Sequence, residues 1–393
     1  METLIELYDH EAIDNILAVL AFEPKRVIYI GQKKAMTPFV QKNLRQLAAN
    51  RGLSVAMDFV SVNVSSFSDI QKTLETIAKR YPNCVFDATG GTDLLLLAVG
   101  IFCYQHGFPV FHFNNDNLVP VINCDLSSLN RKPVKFSTAD IFLLHGGLFW
   151  RHGHFTDDMD SEEMQEDVMA VWKVFLRHQK NWSKQVTYLQ QVSQPETVSS
   201  NNLIINAPVS AKVHLGSLAY CDRSILNDLH DIGLIQDLSF QNNRIRFSYK
   251  NDTIRRCLCD AGIWLELYIY VLAKQMDCFD DVQMSVIVDW DGDTSAAVNT
   301  INEIDVVLVK GTASLFISCK IGVPNVLAVN EIDTLTRRFG GKRAKPVLIT
   351  TASLSRQSPA IAQRAADMDV AVLEVAGMPR EALEFRLKQL MGF

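Results

Sequence analysis

Two short stretches, Asn302-Glu303-Ile304-Asp305-Val306 and Ile317-Ser318-Cys319-Lys320, hold residue types whose spacing can do chemistry. In an extended strand, side chains at i and i+2 leave from one face, so Glu303 and Asp305 are expected side by side. The turn Lys310-Gly311-Thr312 folds the next apolar strand back and brings Lys320 to the same sheet edge. Carboxylates hold a hard divalent cation, and an ammonium beside them steadies an attacking hydroxide or a pentacovalent phosphate. That is the equipment of a metal-dependent nuclease. The strands behind these residues, Val306 to Val309 and Leu315 to Ile317, are strongly apolar and read as buried. Charges at the ends of buried strands call for a reason, because an unpaired buried charge is costly.

The elements that must position this chemistry can be read along the chain. Residues 1–125 alternate strands (Thr3 to Leu7, Arg26 to Ile30, Val55 to Val62, Cys84 to Asp87, Pro109 to Phe113) with helices (Ala12 to Ala21, Phe39 to Asn50, Ser68 to Arg80 capped by Ser68, Asp93 to Gln105). This rhythm predicts a mostly parallel sheet with helices on both faces. Ligands of such sheets gather beyond the carboxyl ends of the strands. There stand Asp9-His10, Gly31-Gln32-Lys33 and Ala88-Thr89-Gly90-Gly91-Thr92, the last opening a helix N-terminus suited to an anion. No Gly-x-Gly-x-x-Gly fingerprint or Walker lysine occurs, which excludes the usual dinucleotide and ATP sites.

Between residues 126 and 200 an acidic run, Asp157 to Asp167, leads into an amphipathic helix, and Gln190 to Asn202 reads as a linker. His145, His152 and His154 read as surface or packing residues. A helix at Ser224 to Asp231 and a hairpin from Leu234 to Tyr249, with Asn242-Asn243 at its tip, form a winged-helix pattern. Its acidic helix favours a spacer role over DNA contact. The C-terminal part reads α-β-β-β-α-β-α-β-α, with Glu266 on its first helix. Asp289, Asp291 and Asp293 begin like a calcium loop, but Thr300 at the twelfth position cannot supply the bidentate carboxylate.

At 393 residues the chain is long enough for two or three domains, and 48% apolar with 21% charged residues is an ordinary globular composition. The apolar run Leu94 to Cys103 is too short to span a bilayer, and the acidic N-terminus lacks a signal peptide's basic region. Eight scattered cysteines without a Cys-x-x-Cys pair fit a reduced, cytoplasmic protein with no membrane partner. A net charge of −6 means that any nucleic acid must meet a local patch. The segment Arg337, Arg338, Lys342, Arg343 and Lys345 is the expected phosphate contact.

The C-terminal order, with Gly262-Ile263-Trp264-Leu265-Glu266, Asn302 to Val306, Cys319-Lys320 and Arg338-Phe339-Gly340-Gly341, resembles the PD-(D/E)XK restriction-endonuclease-like superfamily. The N-terminal part, with Thr89-Gly90-Gly91-Thr92, resembles CARF domains, the cyclic-oligoadenylate sensors of type III CRISPR systems. Together they resemble the cyclic-tetra-adenylate-activated CARF nucleases. The resemblance implies an α/β chain with a Rossmann-like CARF domain (1–135), a central helical linker and winged-helix region (136–260) and a PD-(D/E)XK nuclease domain (261–393). It implies Asp305 as principal metal ligand, Glu266 and Glu303 in support, the Cys319 carbonyl as a further ligand, Lys320 as stabiliser of the nucleophile or transition state, and Mn2+ or Mg2+ as the ion. Cyclic tetra-adenylate would bind at His10, Gly31, Gln32, Lys33, Thr89, Gly90, Gly91 and Thr92, across a homodimer. The substrate would be single-stranded DNA or RNA, with nicking of duplex DNA also open. In one position the chain departs from the pattern: Ser318 stands where the superfamily has a carboxylate. That keeps two other readings open, a ligand-responsive DNA-binding regulator with an inactive nuclease domain and a ring nuclease that destroys the cyclic nucleotide.

Overall fold

A computed structural model of the chain describes residues 1–125, 127, 129–152, 159–194, 203–213, 217–290, 292 and 300–392. The first ten elements are β1 (Thr3–Leu7), α1 (Asp14–Phe22), β2 (Arg26–Gly31), α2 (Pro38–Asn50), β3 (Ala56–Ser61), α3 (Phe67–Arg80), β4 (Val85–Asp87), α4 (Asp93–His106), β5 (Val110–Asn114) and β6 (Asn117–Ile122). They build a six-stranded sheet of order β3-β2-β1-β4-β5-β6, parallel except for β6. The expected rhythm is present. The cap of α3 is Ser66 rather than Ser68, its hydroxyl accepting from the Asp69 amide. β6 was not anticipated; a turn through Asn115, at φ 54°, returns it as an antiparallel edge.

The middle of the chain supplies α5 (Thr138–Leu144), β7 (Leu148–His152), α6 (Glu162–Val192), β8 (Ile204–Pro208), β9 (Ser210–Lys212), β10 (Leu218–Tyr220), α7 (Arg223–Asp231), β11 (Ile235–Gln241), β12 (Arg244–Tyr249) and α8 (Asp252–Leu258). The helix and hairpin of the winged-helix pattern are present, with Asn242 and Asn243 at φ 48° and 59°. β8 adds a third strand beside β12. Arg244 is hydrogen-bonded to Asn206, and Lys250, just past β12, pairs with Asp167 and Glu163, so both basic side chains are engaged within the protein. α6 is one 31-residue helix kinked at His178, and it extends into the expected linker, of which residues 195–202 lie outside the described residues.

The C-terminal part comprises α9 (Ile263–Gln275), β13 (Asp281–Asp289), β14 (Ile301–Lys310), β15 (Ala313–Lys320), α10 (Val326–Phe339), β16 (Ala344–Thr350), α11 (Leu354–Gln357), α12 (Pro359–Asp367), β17 (Ala371–Glu374) and α13 (Arg380–Met391). Its sheet runs β17-β16-β15-β14-β13-β7, so a strand from residues 148–152 closes an edge of the C-terminal sheet. One apolar core packs this sheet against α6, α9 and α13. Another joins its opposite face, under α10, to α1 and α2 of the N-terminal part.

β14 changes cores partway along. Val306 packs in the first core with Met284, whereas Ile304 packs in the second with Val286. Side chains two apart normally share a face. The reversal falls at Asp305 and at Ser285 opposite it, whose φ of 47° lies in the left-handed region that a residue with a Cβ seldom adopts. Asp305 is thereby released from either apolar face.

Part of the basic segment is engaged within the protein, while Lys342 and Lys345 keep exposed side chains. Arg338 donates to the carbonyls of His145 and Trp290, and Arg337 pairs with Asp333. The Lys342 amide donates to Glu11 Oε2 at 2.8 Å, and the Arg343 guanidinium bonds Asp14 and Thr312. His145, expected as a surface or packing residue, is half-buried here with Nε2 3.7 Å from Glu11 Oε1 and Nδ1 against the Ile141 carbonyl. The segment therefore ties the two ends of the chain together. An acidic loop after β1 offers deeply placed carboxylates, and cationic groups match them better there than in solvent.

Two predictions follow from these contacts. Burial, only partly offset by the Thr89 hydrogen bonds, raises the Asp87 carboxyl to about 7, and burial likewise raises its neighbour Glu6 well above the usual range. A raised carboxyl stabilises the fold fully below its unfolded value near 4, and that contribution fades as pH climbs through 7. Thermal and denaturant unfolding from pH 5 to pH 8 should cost the wild type on the order of 3 kcal/mol more than Asp87→Asn, which keeps the Oδ1 acceptor used by Thr89. Arg343→Ala strands Asp14, whose side chain is 14% exposed, and should lower unfolding free energy by about 3 kcal/mol. Unchanged denaturation midpoints would show that the pair contributes nothing net.

Candidate active site

The hairpin of β14 and β15 places the expected residues with a two-residue turn, Lys310 pairing with Ala313. Gly311 takes φ 55° there and its backbone lies against Asp116, a position closed to any Cβ. Because the strands are in register, Asp305 reaches the end of β15. Its Oδ2 accepts three hydrogen bonds: from the Cys319 amide at 2.6 Å, the Lys320 ammonium at 3.0 Å and the Ser318 hydroxyl at 3.3 Å. No described donor bonds its Oδ1.

A cavity of about 40 Å³ opens beside this cluster, lined by Glu303, Asp305, Ser318 and Lys320 from the strands and by Glu331 and its neighbours from α10. It has room for an ion and a water or two, and none for a nucleotide, which would have to lie across its mouth. Glu303 lines the same cavity as Asp305, and so does Ile304 between them, because the alternation of β14 breaks here. Glu266 is half-buried on α9 and does not line it. Its carboxyl is pushed well up, first by burial and then by the charge of Asp305, with Glu303 and Asp260 adding to it. Lys320 is held above the ordinary ammonium range, because the Asp305 charge and hydrogen bond outweigh the opposing effect of burial. It is a fixed cation at neutral pH and cannot act as a base. The buried Cys319 thiol is raised by burial and then by Asp305, so it stays protonated; the residue serves through its main chain.

Oxygen donors crowded closely enough to raise a neighbouring carboxyl are the donor chemistry of a hard divalent cation such as Mg2+ or Mn2+. Among the described residues no three acidic, histidine or cysteine side chains are already drawn around one point, since Asp305 Oδ2 is turned toward its three donors. Of the calcium-like run, Asp291 and Asp293 lie outside the described residues, and Asp289 accepts from the Gly292 amide. His154 also lies outside them, as does the side chain of His152.

Sequence reasoning missed Glu331. It sits on an amphipathic helix, where an acidic residue reads as part of the solvated face, and only the packing of α10 over the hairpin brings it to the cavity.

At the N-terminal sheet, the loops after β2, β1 and β4 are neighbours at the carboxyl edge because those strands are adjacent. They bring together Gln32 and Lys33, His10, and Thr89 to Thr92. His10 and Lys33 are exposed, as is Thr92, whose side chain makes no capping bond to α4. Two of the glycines there are required by close packing. A Cβ on Gly31 would stand 2.8 Å from Tyr8 Cβ, and one on Gly90 2.7 Å from the Leu7 carbonyl oxygen, so both serve the packing of loop on loop. Thr89 is spent within the protein, its hydroxyl bonding Asp87 and accepting the Phe113 amide. His10 also borders a cleft shared with His145 and Arg338.

Residues 252–386 match the family described as Card1-like, endonuclease domain. Compared with functionally curated proteins by sequence, the chain matches none. Among solved structures, Can2 from Sulfobacillus thermosulfidooxidans, in complex with cyclic tetra-adenylate, is similar over 100% of both chains with TM-score 0.67 at 16% identity. Protein VC1899 from Vibrio cholerae is similar over 100% of this chain and 99% of its own, with TM-score 0.71 at 19% identity. No helix among the described residues is long and apolar enough to cross a membrane. The chain thus shares the mixed α/β fold of these two structures, and its residues 252–386 are similar to the Card1-like endonuclease domain.

Proposed function

We propose that this chain is a divalent-metal-dependent endonuclease activated by cyclic tetra-adenylate bound between the N-terminal domains of a homodimer. The observation that carries the reading is the convergence of Lys320, Ser318 and the Cys319 amide on one oxygen of Asp305. Asp305 and Glu303, with the Cys319 carbonyl, are the residues that would hold the ion. A bound Mg2+ or Mn2+ would polarise a phosphodiester and lower the pKa of a water. Lys320, always charged, stabilises negative charge building on the phosphate. Glu266, its carboxyl pushed up by burial and by the charge of Asp305, stands behind the site as a further acidic group. Single-stranded DNA or RNA, or one strand of a duplex, is the substrate class, lying across the mouth of the cavity.

The ligand end fits the same reading. Exposed His10, Lys33 and Thr92 stand at the rim formed by the β2, β1 and β4 loops, beside the N-terminus of α4, where a phosphate is favoured. α4 then carries Leu97, Ile101 and Tyr104, 58%, 38% and 78% exposed at i, i+4 and i+7, an apolar stripe that suits a second copy of the chain next to the ligand. Coupling runs through α10. Its first turns line the cavity, and the segment that follows it is tied to Glu11 and Asp14, neighbours of His10.

The test is cleavage of labelled single-stranded and duplex substrates with Mn2+, with and without cyclic tetra-adenylate. Wild type should cleave only with both, and Asp305→Ala and Lys320→Ala should each lose at least a hundredfold in rate. Wild type that shifts duplex DNA without cutting it under these conditions overturns the nuclease reading. In sedimentation or light scattering, Leu97→Glu with Tyr104→Glu should give a monomer that no longer responds to the cyclic nucleotide; a dimer of wild-type stability would remove α4 from the interface.

A further inference from the structure

The cavity beside Asp305 is lined by three carboxylates, Glu303, Asp305 and Glu331, against the single ammonium of Lys320. Lys320 pairs with Asp305, and no described cation pairs with Glu303 or Glu331. Two negative charges are therefore left over, the complement of a divalent cation. The neighbour strand contributes none of them. Its residue beside Asp305 is Ser318, a neutral hydroxyl that donates to Asp305 Oδ2.

Glu331 is an exposed residue of α10, yet one of its oxygens is held in place. Its Oε1 accepts from Asn302 Nδ2 at 2.9 Å, and Asn302 Oδ1 accepts from the Trp290 indole at 2.7 Å. The indole can only donate, so it fixes which way the amide points, and the amide fixes one oxygen of Glu331. The other oxygen has no hydrogen-bond donor among the described residues. Ala328, Ile332 and Leu335 line the cavity on the same helix face, so that face of α10 is turned toward Asp305. An orienting partner on one atom and a free second atom is the arrangement of a metal-binding side chain with its outer support.

We propose that Glu331 is the third carboxylate of the metal site, supplied by α10 where the strand has only Ser318, and that Asn302 is its positioning residue. The inference rests on the metal-dependent nuclease reading. It also gives α10 a chemical role: the helix tied to the N-terminal loop would itself carry a ligand of the ion.

The experiment measures Mn2+ binding to the full-length protein, by the paramagnetic signal of free Mn2+ and by calorimetry, alongside metal-free Tm and cleavage. E331Q should weaken Mn2+ at least about tenfold and cleavage with it, at unchanged Tm. S318E in the E331Q background should recover the affinity, because a carboxylate returns to the same cavity. Mn2+ bound by E331Q as by wild type, while D305N loses it, overturns the role of Glu331 and leaves the nuclease reading standing. No Mn2+ binding to wild type overturns both. If E331Q lowers Tm, S318E with E331Q decides: recovered affinity supports the assignment and its absence defeats it.

Discussion

One oxygen, Asp305 Oδ2, is the point on which the candidate site of this molecule depends. Three donors from the last residues of β15 converge on it, and they can do so only because the hairpin is in register and turns in two residues. A slip of one residue would send Lys320 to the opposite face and break all three. The strand pair also gives up its alternation here, with Ser285 in a left-handed conformation, so that Asp305 is not drawn into either apolar core. Local strain of that kind persists only where the surroundings hold it, and here two cores do.

The second constraint is electrostatic and lies at the join between the two ends of the chain. The loop after β1 carries Asp9, Glu11 and Asp14, and the segment after α10 brings the Lys342 amide and the Arg343 guanidinium to the latter two. Glu11 is held below the usual carboxylate range: burial alone would raise it, and the His145 and Lys342 contacts outweigh that. The acidic loop and the cationic turn are thus complementary, each being costly to bury without the other. Because α10 runs from this join to the catalytic cavity, a displacement at one end of the helix has a rigid path to the other.

Much of this was legible beforehand. The alternation of strands and helices, the order of the C-terminal elements and the pairing of Glu303, Asp305 and Lys320 all follow from patterns local to a few residues. The Gly311 turn was legible because a two-residue reversal between apolar strands needs a residue free to take positive φ. What was not legible is equally physical. Nothing near Arg343 in sequence shows that its partner, Asp14, waits some three hundred residues upstream. Nor does the spacing of Gly31 and Gly90 show that a Cβ there would meet Tyr8 and the Leu7 carbonyl.

Sequence alone therefore determined the strand that carries Asp305, the hairpin that returns Lys320 to it and the layered sheet at each end, since hydrophobic period and turn chemistry act over short spans. Tertiary structure decided which charges meet. It brought Glu331 to the cavity that Ser318 lines, set Glu266 outside that cavity, paired Arg343 with Asp14, and added residues 148–152 to the far edge of the C-terminal sheet. The physical reason is that charge interactions are set by separation in space and by burial, and neither quantity is written in the spacing of residues along a chain.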